Sequence, residues 1–188
     1  MSSQDSKSKI VRESILGEIV SITGDIFAGM ILVFLILPFE SLSYLIIMIP
    51  ALLTLRGNIS GTFIARTTRD LYTGELSMSL QPIRRWLENI GAALFISLLV
   101  AIFIGIISQL FSLFLGNEVV NIGYFIGIPL ITIFFNLSIS VPLSTGLNIF
   151  CFRFGIDANN IVNPLMTCFD DFFTVFGFYL SLLLLGVP

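Results

Sequence analysis

Ile90–Leu115 reads IGAALFISLLVAIFIGIISQLFSLFL, a run with no charged side chain. A bilayer core of about 30 Å needs roughly 20 apolar residues in a helix, so this run is long enough to cross it. Its apolar residues are continuous, not alternating, which argues against a strand. Lipid offers no partner for backbone N–H and C=O groups, so the segment must be a helix that satisfies them internally.

The same test applied outward from this run finds four more. Ile15–Leu37 is ended by Pro38, and Leu42–Ile64 has a polar interruption near its end. Ile122–Phe150 contains Pro129 and Pro142, and Pro164–Val187 closes the chain. The expected fold is all-α and integral to the membrane, with about five transmembrane helices at 15–37, 42–64, 90–115, 122–150 and 164–187. They make one membrane domain, 15–188, behind a polar tail, 1–14, whose opening MSSQDSKSKI is expected to be disordered. No cleavable signal peptide, internal repeat or soluble domain is expected.

Composition agrees. Hydrophobic residues are 56% and charged residues 11% of the chain, with mean hydropathy +1.01; a soluble domain carries about 25% charged residues. There is no His, which removes the commonest transition-metal ligand and the neutral-pH proton shuttle. Cys151 and Cys168 form no CxxC pair and read as small buried hydrophobes. With neither HExxH nor GxSxG, an enzyme is not expected. Neither is a nucleic-acid partner or a bound cofactor.

Basic residues set the orientation. Lys7, Lys9 and Arg12 precede the first run, Arg66, Arg69, Arg84 and Arg85 lie between the second and third, and Arg153 follows the fourth. Five spans put all of these on one face, whereas the opposite face has Glu40 and Glu118. The N-terminus is therefore expected in the cytoplasm of a multi-pass cell-membrane protein, and the C-terminus outside. The polar stretch Arg66–Glu88 is expected to hold a short interfacial segment, with Trp86 as an anchor at the headgroups.

Ionisable groups inside a span are costly unless paired, hydrated or facing a cavity. Asp170 and Asp171 lie about two turns into the last run, on a polar stripe with Asn163, Thr167 and Thr174. Such an oxygen-rich set suits a hard cation like magnesium, which keeps several of its waters. The simpler alternative is that one carboxylate pairs with an Arg or is protonated. Leu55–Gly61, LRGNISG, places Asn58 between Gly57 and Gly61, a site for a helix break or for close helix packing. Arg56 is expected to form a structural ion pair with a carboxylate such as Glu18 or Asp25, and Asp25 is also a candidate for the pathway. Asn136, Ser140, Ser144, Thr145 and Asn148 read mostly as packing groups.

Two stretches carry a resemblance: PALLTLRGNISGTFIARTTRDLYTGEL, Pro50–Leu76, and FRFGIDANNIVNPLMTCFDD, Phe152–Asp171. They resemble the membrane domain shared by MgtE magnesium channels and the animal solute-carrier magnesium transporters. Pro50, Gly57, Asn58, Ala65, Arg66, Pro164 and Asp171 match the pattern, and Ala28–Leu32 matches more weakly. The resemblance implies a five-helix protomer that forms a homodimer, with an ion path on the twofold axis lined by the second and fifth helices. It gives Asp171 a place in a site for hydrated magnesium, Thr167 a backbone carbonyl one turn earlier, and Asn58 a pore-lining position. Asp170 and Asp25 have no counterpart in that pattern. No equivalent of the large cytoplasmic sensor domains of MgtE is expected within these residues. The expected metal-site residues are thus Asp171, Asp170, Asn58, Thr167 and Asp25. Other divalent ions remain open, as does a heterodimer with a related half. So does a non-transporting scaffold whose intramembrane polar groups only hold helices together.

Overall fold

A computed structural model describes residues 7–36, 45, 47–116 and 121–187. Among them are five helices: α1 (Lys7–Ile36), α2 (Met48–Thr73), α3 (Ile83–Phe114), α4 (Ile122–Phe154) and α5 (Ala158–Leu185). Pro38, Glu40, Glu118 and the expected start of the second span at Leu42 fall outside the described residues. Three of the described helices, α3, α4 and α5, are long and apolar enough to cross a membrane.

The helices outrun the apolar segments, because a helix satisfies its backbone as well in water as in lipid. Helix α1 already includes Lys7, within the tail expected to be disordered. Helix α2 runs unbroken through Gly57 and Gly61, so the helix break is not observed. It continues through Arg66–Thr73 to Gly74, whose φ of 77° lets it cap the helix in the left-handed region. The residues between Gly74 and Ile83 form a compact turn, so no separate interfacial helix occupies the 66–88 stretch.

Pro164 does not open α5 either. Gly155 ends α4 with φ 66°, and the Asp157 carboxylate then accepts the Asn159 N–H at 3.0 Å, starting α5 well before Pro164. Pro164 is interior, where it cannot donate to the Asn160 carbonyl. Helix α1 packs close there, with a Cβ on Gly17 set to stand 3.1 Å from that oxygen, and closer still at Gly24, where a Cβ would overlap the Cys168 side chain. Gly17, Ser21 and Ala28, all buried, and the half-buried Gly24 form the small-residue seam along which α1 meets α5.

Cross-helix contacts fix the directions. Ser60 faces Ser140 and Thr68 meets Asn148, so α2 and α4 run parallel. Trp86 donates to Thr145 at 3.1 Å, while Gly105 lies against Phe125, so α3 and α4 are antiparallel. Asn136 bonds the Asp170 carbonyl and Gly127 lies near Leu185, so α4 and α5 are antiparallel as well. The start of α1, the α2–α3 turn and the α4–α5 turn thus share one end, as the basic residues require. Trp86 is pinned to α4, where its N–H finds a buried hydroxyl. The apolar core joins Leu52, Leu55, Ile59 and Phe63 of α2 to Ile128, Ile133 and Leu137 of α4 and Phe178 and Leu182 of α5. Phe95, Leu99, Phe103, Leu110 and Phe114 of α3 point outward.

Candidate functional site

Two polar groups flank α5, separated by the roughly 100° between neighbouring residues of a helix. Asp171 lies on one flank. Its Oδ1 accepts from the Arg56 guanidinium, and the side chains are 14% and 6% exposed. Asp25 of α1 brings a second carboxylate against Asp171. Asp25 therefore stands against the carboxylate that Arg56 holds, with its own Oδ1 buried and without a hydrogen-bond partner. The expected structural ion pair exists, but its acid is Asp171, 115 residues away, rather than Glu18. Glu18 is exposed.

Asp170 lies on the other flank, fully buried between α2 and α4. Its carboxylate meets the Ser60 and Ser140 hydroxyls, which stand 3.3 Å apart. Neither carboxylate oxygen makes a hydrogen bond of good geometry. Asn136 anchors the layer, donating to the Asp170 carbonyl at 3.0 Å and to Thr174 Oγ1 at 3.1 Å.

The other expected residues are placed as follows. Thr167 is partly exposed, and its hydroxyl returns to the Asn163 carbonyl at 3.0 Å. Asn163 lies beside Gly61 of α2. Asn163, Thr167 and Asp171 thus form a stripe on α5 at four-residue spacing. Asn58 is exposed on α2 and faces away from that stripe, into an open groove of about 660 Å³ between α2 and α3. Thr54, Thr62 and Arg66 line the same groove from α2, facing Ile96, Val100 and Phe103 of α3. The structure brings Asp25, Asp171 and Arg56 together, sets Asp170 behind them, and leaves Asn58 on a separate face. Among the described residues, no three acidic or cysteine side chains are close enough to hold a metal ion.

Sequence reasoning missed two things. The α4 series at 136, 140, 144/145 and 148 was legible as a one-turn repeat but read as packing; Asn136, Ser140 and Asn148 in fact bond across to other helices. At the basic end, Asp70 is wholly buried and held by Arg69 at 2.9 Å, Asn89 at 2.9 Å and Arg85 at 3.5 Å. Burial pushes its pKa up, but the Asn89 and Arg69 hydrogen bonds and the nearby Arg charges outweigh that and hold it below the ordinary carboxylate value. This lies beyond the apolar run of α2.

The model of the MgtE divalent cation transporter domain matches residues 49–181, which takes in α2, α3, α4 and most of α5. This chain belongs to the MgtE family. It is accordingly a divalent cation transporter of the membrane, from a family of transporters, not enzymes. Helix α1, with Asp25, lies outside the matched segment of this MgtE chain. No curated protein matches it. No solved structure matches it.

Proposed function

We propose that this chain carries magnesium across the cell membrane as a homodimer, along a path lined by α2 and α5 of both copies. The observation that carries the reading is three aspartates near a single arginine within an apolar bundle: Asp171 bonds Arg56, Asp25 stands against Asp171, and Asp170 lies within the field of Arg56. One guanidinium cannot balance three carboxylates, and a cation completes the balance. The polar donors are oxygens, which suits a hard ion. Asp171 and Asp25 act as the charged ligands, through water in magnesium's usual manner. Thr167 and Asn163 continue the oxygen stripe toward the basic end, and Asp170 adds field from behind.

A second copy fits the exposed side of α2. A Cβ on Gly57 would meet nothing within 4 Å, and one on Gly61 would meet only Asn163. The Gly57 side of α2 is therefore open to a partner helix, while Gly61 packs beside α5. All five helices span the bilayer, with the basic end and N-terminus cytoplasmic and the C-terminus outside.

The Arg56–Asp171 pair is what a scaffold reading expects. That reading leaves the charges of Asp25 and Asp170 unexplained, and family membership favours transport. Liposomes holding only this protein and a magnesium-sensitive dye test the proposal. Magnesium should enter, and Asp171→Asn should abolish most of the flux while the dimer persists. Flux at the wild-type rate in the variant would remove Asp171 from the path.

A further inference from the structure

We propose that Asp170 anchors a second cation site, separate from the Asp171 group, that takes a dehydrated monovalent cation, sodium. Asp170 and Asn136 are both 0% exposed. Both carboxylate oxygens of Asp170 and the Asn136 Oδ1 are buried without hydrogen-bond partners. The amide orientation is not arbitrary. Asn136 Nδ2 points at the Asp170 carbonyl and at Thr174 Oγ1, and a flipped amide would set oxygen against carbonyl oxygen. The orphaned acceptor is thus a consequence of the network.

Ser60 and Ser140 adjoin this carboxylate from α2 and α4. Two hydroxyl protons cannot serve all the acceptor positions of a carboxylate and an amide oxygen. The nearest guanidinium, Arg56, is bonded to Asp171. A proton would give one donor to one oxygen, whereas a coordinated cation serves Asp170, Asn136, Ser60 and Ser140 together. One carboxylate near a guanidinium calls for a single positive charge. The layer is closed to solvent, and magnesium gives up its waters reluctantly, so a divalent ion is a poor occupant. The serine oxygens lie 3.3 Å apart, a spacing that favours a small ion over potassium.

This inference goes beyond magnesium transport, and thermal unfolding in detergent separates the two. The full chain is melted with chelator present, in sodium, potassium or choline chloride at equal ionic strength. Sodium should raise the midpoint saturably, and potassium and choline should not. Asp170→Asn should lose the sodium rise. Should that variant not fold, Ser140→Ala serves instead, with the sodium half-saturation point moved several-fold upward. Asp171→Asn should keep the sodium rise while losing the magnesium rise. Equal midpoints in the three salts, a rise shared by potassium, or a sodium rise surviving in both Asp170→Asn and Ser140→Ala would overturn the proposal. Loss of both rises in Asp171→Asn would merge the sites and overturn it as well. A missing magnesium rise with an intact sodium rise would count against the magnesium reading alone.

Discussion

Replacing Arg56 by Met keeps the volume and removes the charge that balances Asp171. Arg56 is buried and Asp171 is largely withdrawn from solvent, at 6% and 14% exposed. Breaking such a pair by removing one partner costs about 3–5 kcal/mol, because the remaining charge is left without compensation. At about 2–4 °C per kcal/mol for a chain of this size, the midpoint in magnesium-free detergent should fall by roughly 6–20 °C. The partner variant Arg56→Met/Asp171→Asn should recover much of the loss, since the uncompensated charge is gone.

Magnesium should stabilise the variant more than the wild type. In the wild type the guanidinium already holds Asp171, so a cation raises the midpoint only modestly. In Arg56→Met that carboxylate is vacant. Magnesium at a hundred times its dissociation constant stabilises by about 2.7 kcal/mol, a large part of what the substitution removes. Melting curves with and without magnesium for the single and double variants provide the assay. An Arg56→Met protein that melts with the wild type, or a magnesium rise equal in both, would refute the idea that Arg56 stands where the cation's charge is needed.

Two other outcomes are expected. Asp70→Asn should cost about 1–2 kcal/mol at neutral pH, at the low end because Arg69 and Arg85 keep access to water. With its native pKa below the ordinary 3.8, Asp70 contributes fully above that value and loses its contribution as pH falls through the lower native value, so the wild-type–variant gap should be flat from pH 7 to 4 and close below. A gap that closes between pH 7 and 5 would contradict this. Gly105→Ala should cost about 1–3 kcal/mol by overpacking, because the added methyl overlaps the Phe125 backbone carbonyl, whereas Gly57→Ala should leave the melting of the protomer unchanged. Equal midpoints for the two variants would show that the α3–α4 approach is not as tight as it looks.

The helical bundle, its order and its one basic end were legible because lipid imposes a single solution on long apolar runs. Helix limits were not, because Arg66–Thr73 is polar yet remains helical, held by the Gly74 cap and by Asp70 folding back under Arg69, Arg85 and Asn89. The α1–α5 seam was also hidden. Gly17, Ser21, Gly24 and Ala28 carry almost no side chain to signal what they touch, and Ile15, Ile19, Ile22 and Ile26 dominate the reading while standing exposed.

The candidate site shows the same limit in sharper form. Adjacent helical residues point about 100° apart, so Asp170 and Asp171 cannot both aim down the centre of one narrow cavity. One turn of α2 serves both instead. Arg56 reaches Asp171, and Ser60, four residues on, reaches the Asp170 layer. The sequence displays both spacings, two adjacent acids on one helix and a base and a hydroxyl one turn apart on another. It does not display the crossing of the two helices, which decides which acid meets the base. Because α2 and α5 cross antiparallel, with Gly61 beside Asn163 and Arg56 beside Asp171, the fixed charge of Arg56 falls on the acid nearer the open stripe. The acid left without it is the one sealed among serines and an asparagine. The same backbone crossing therefore leaves one carboxylate paired and partly exposed, and the other buried without an ion pair.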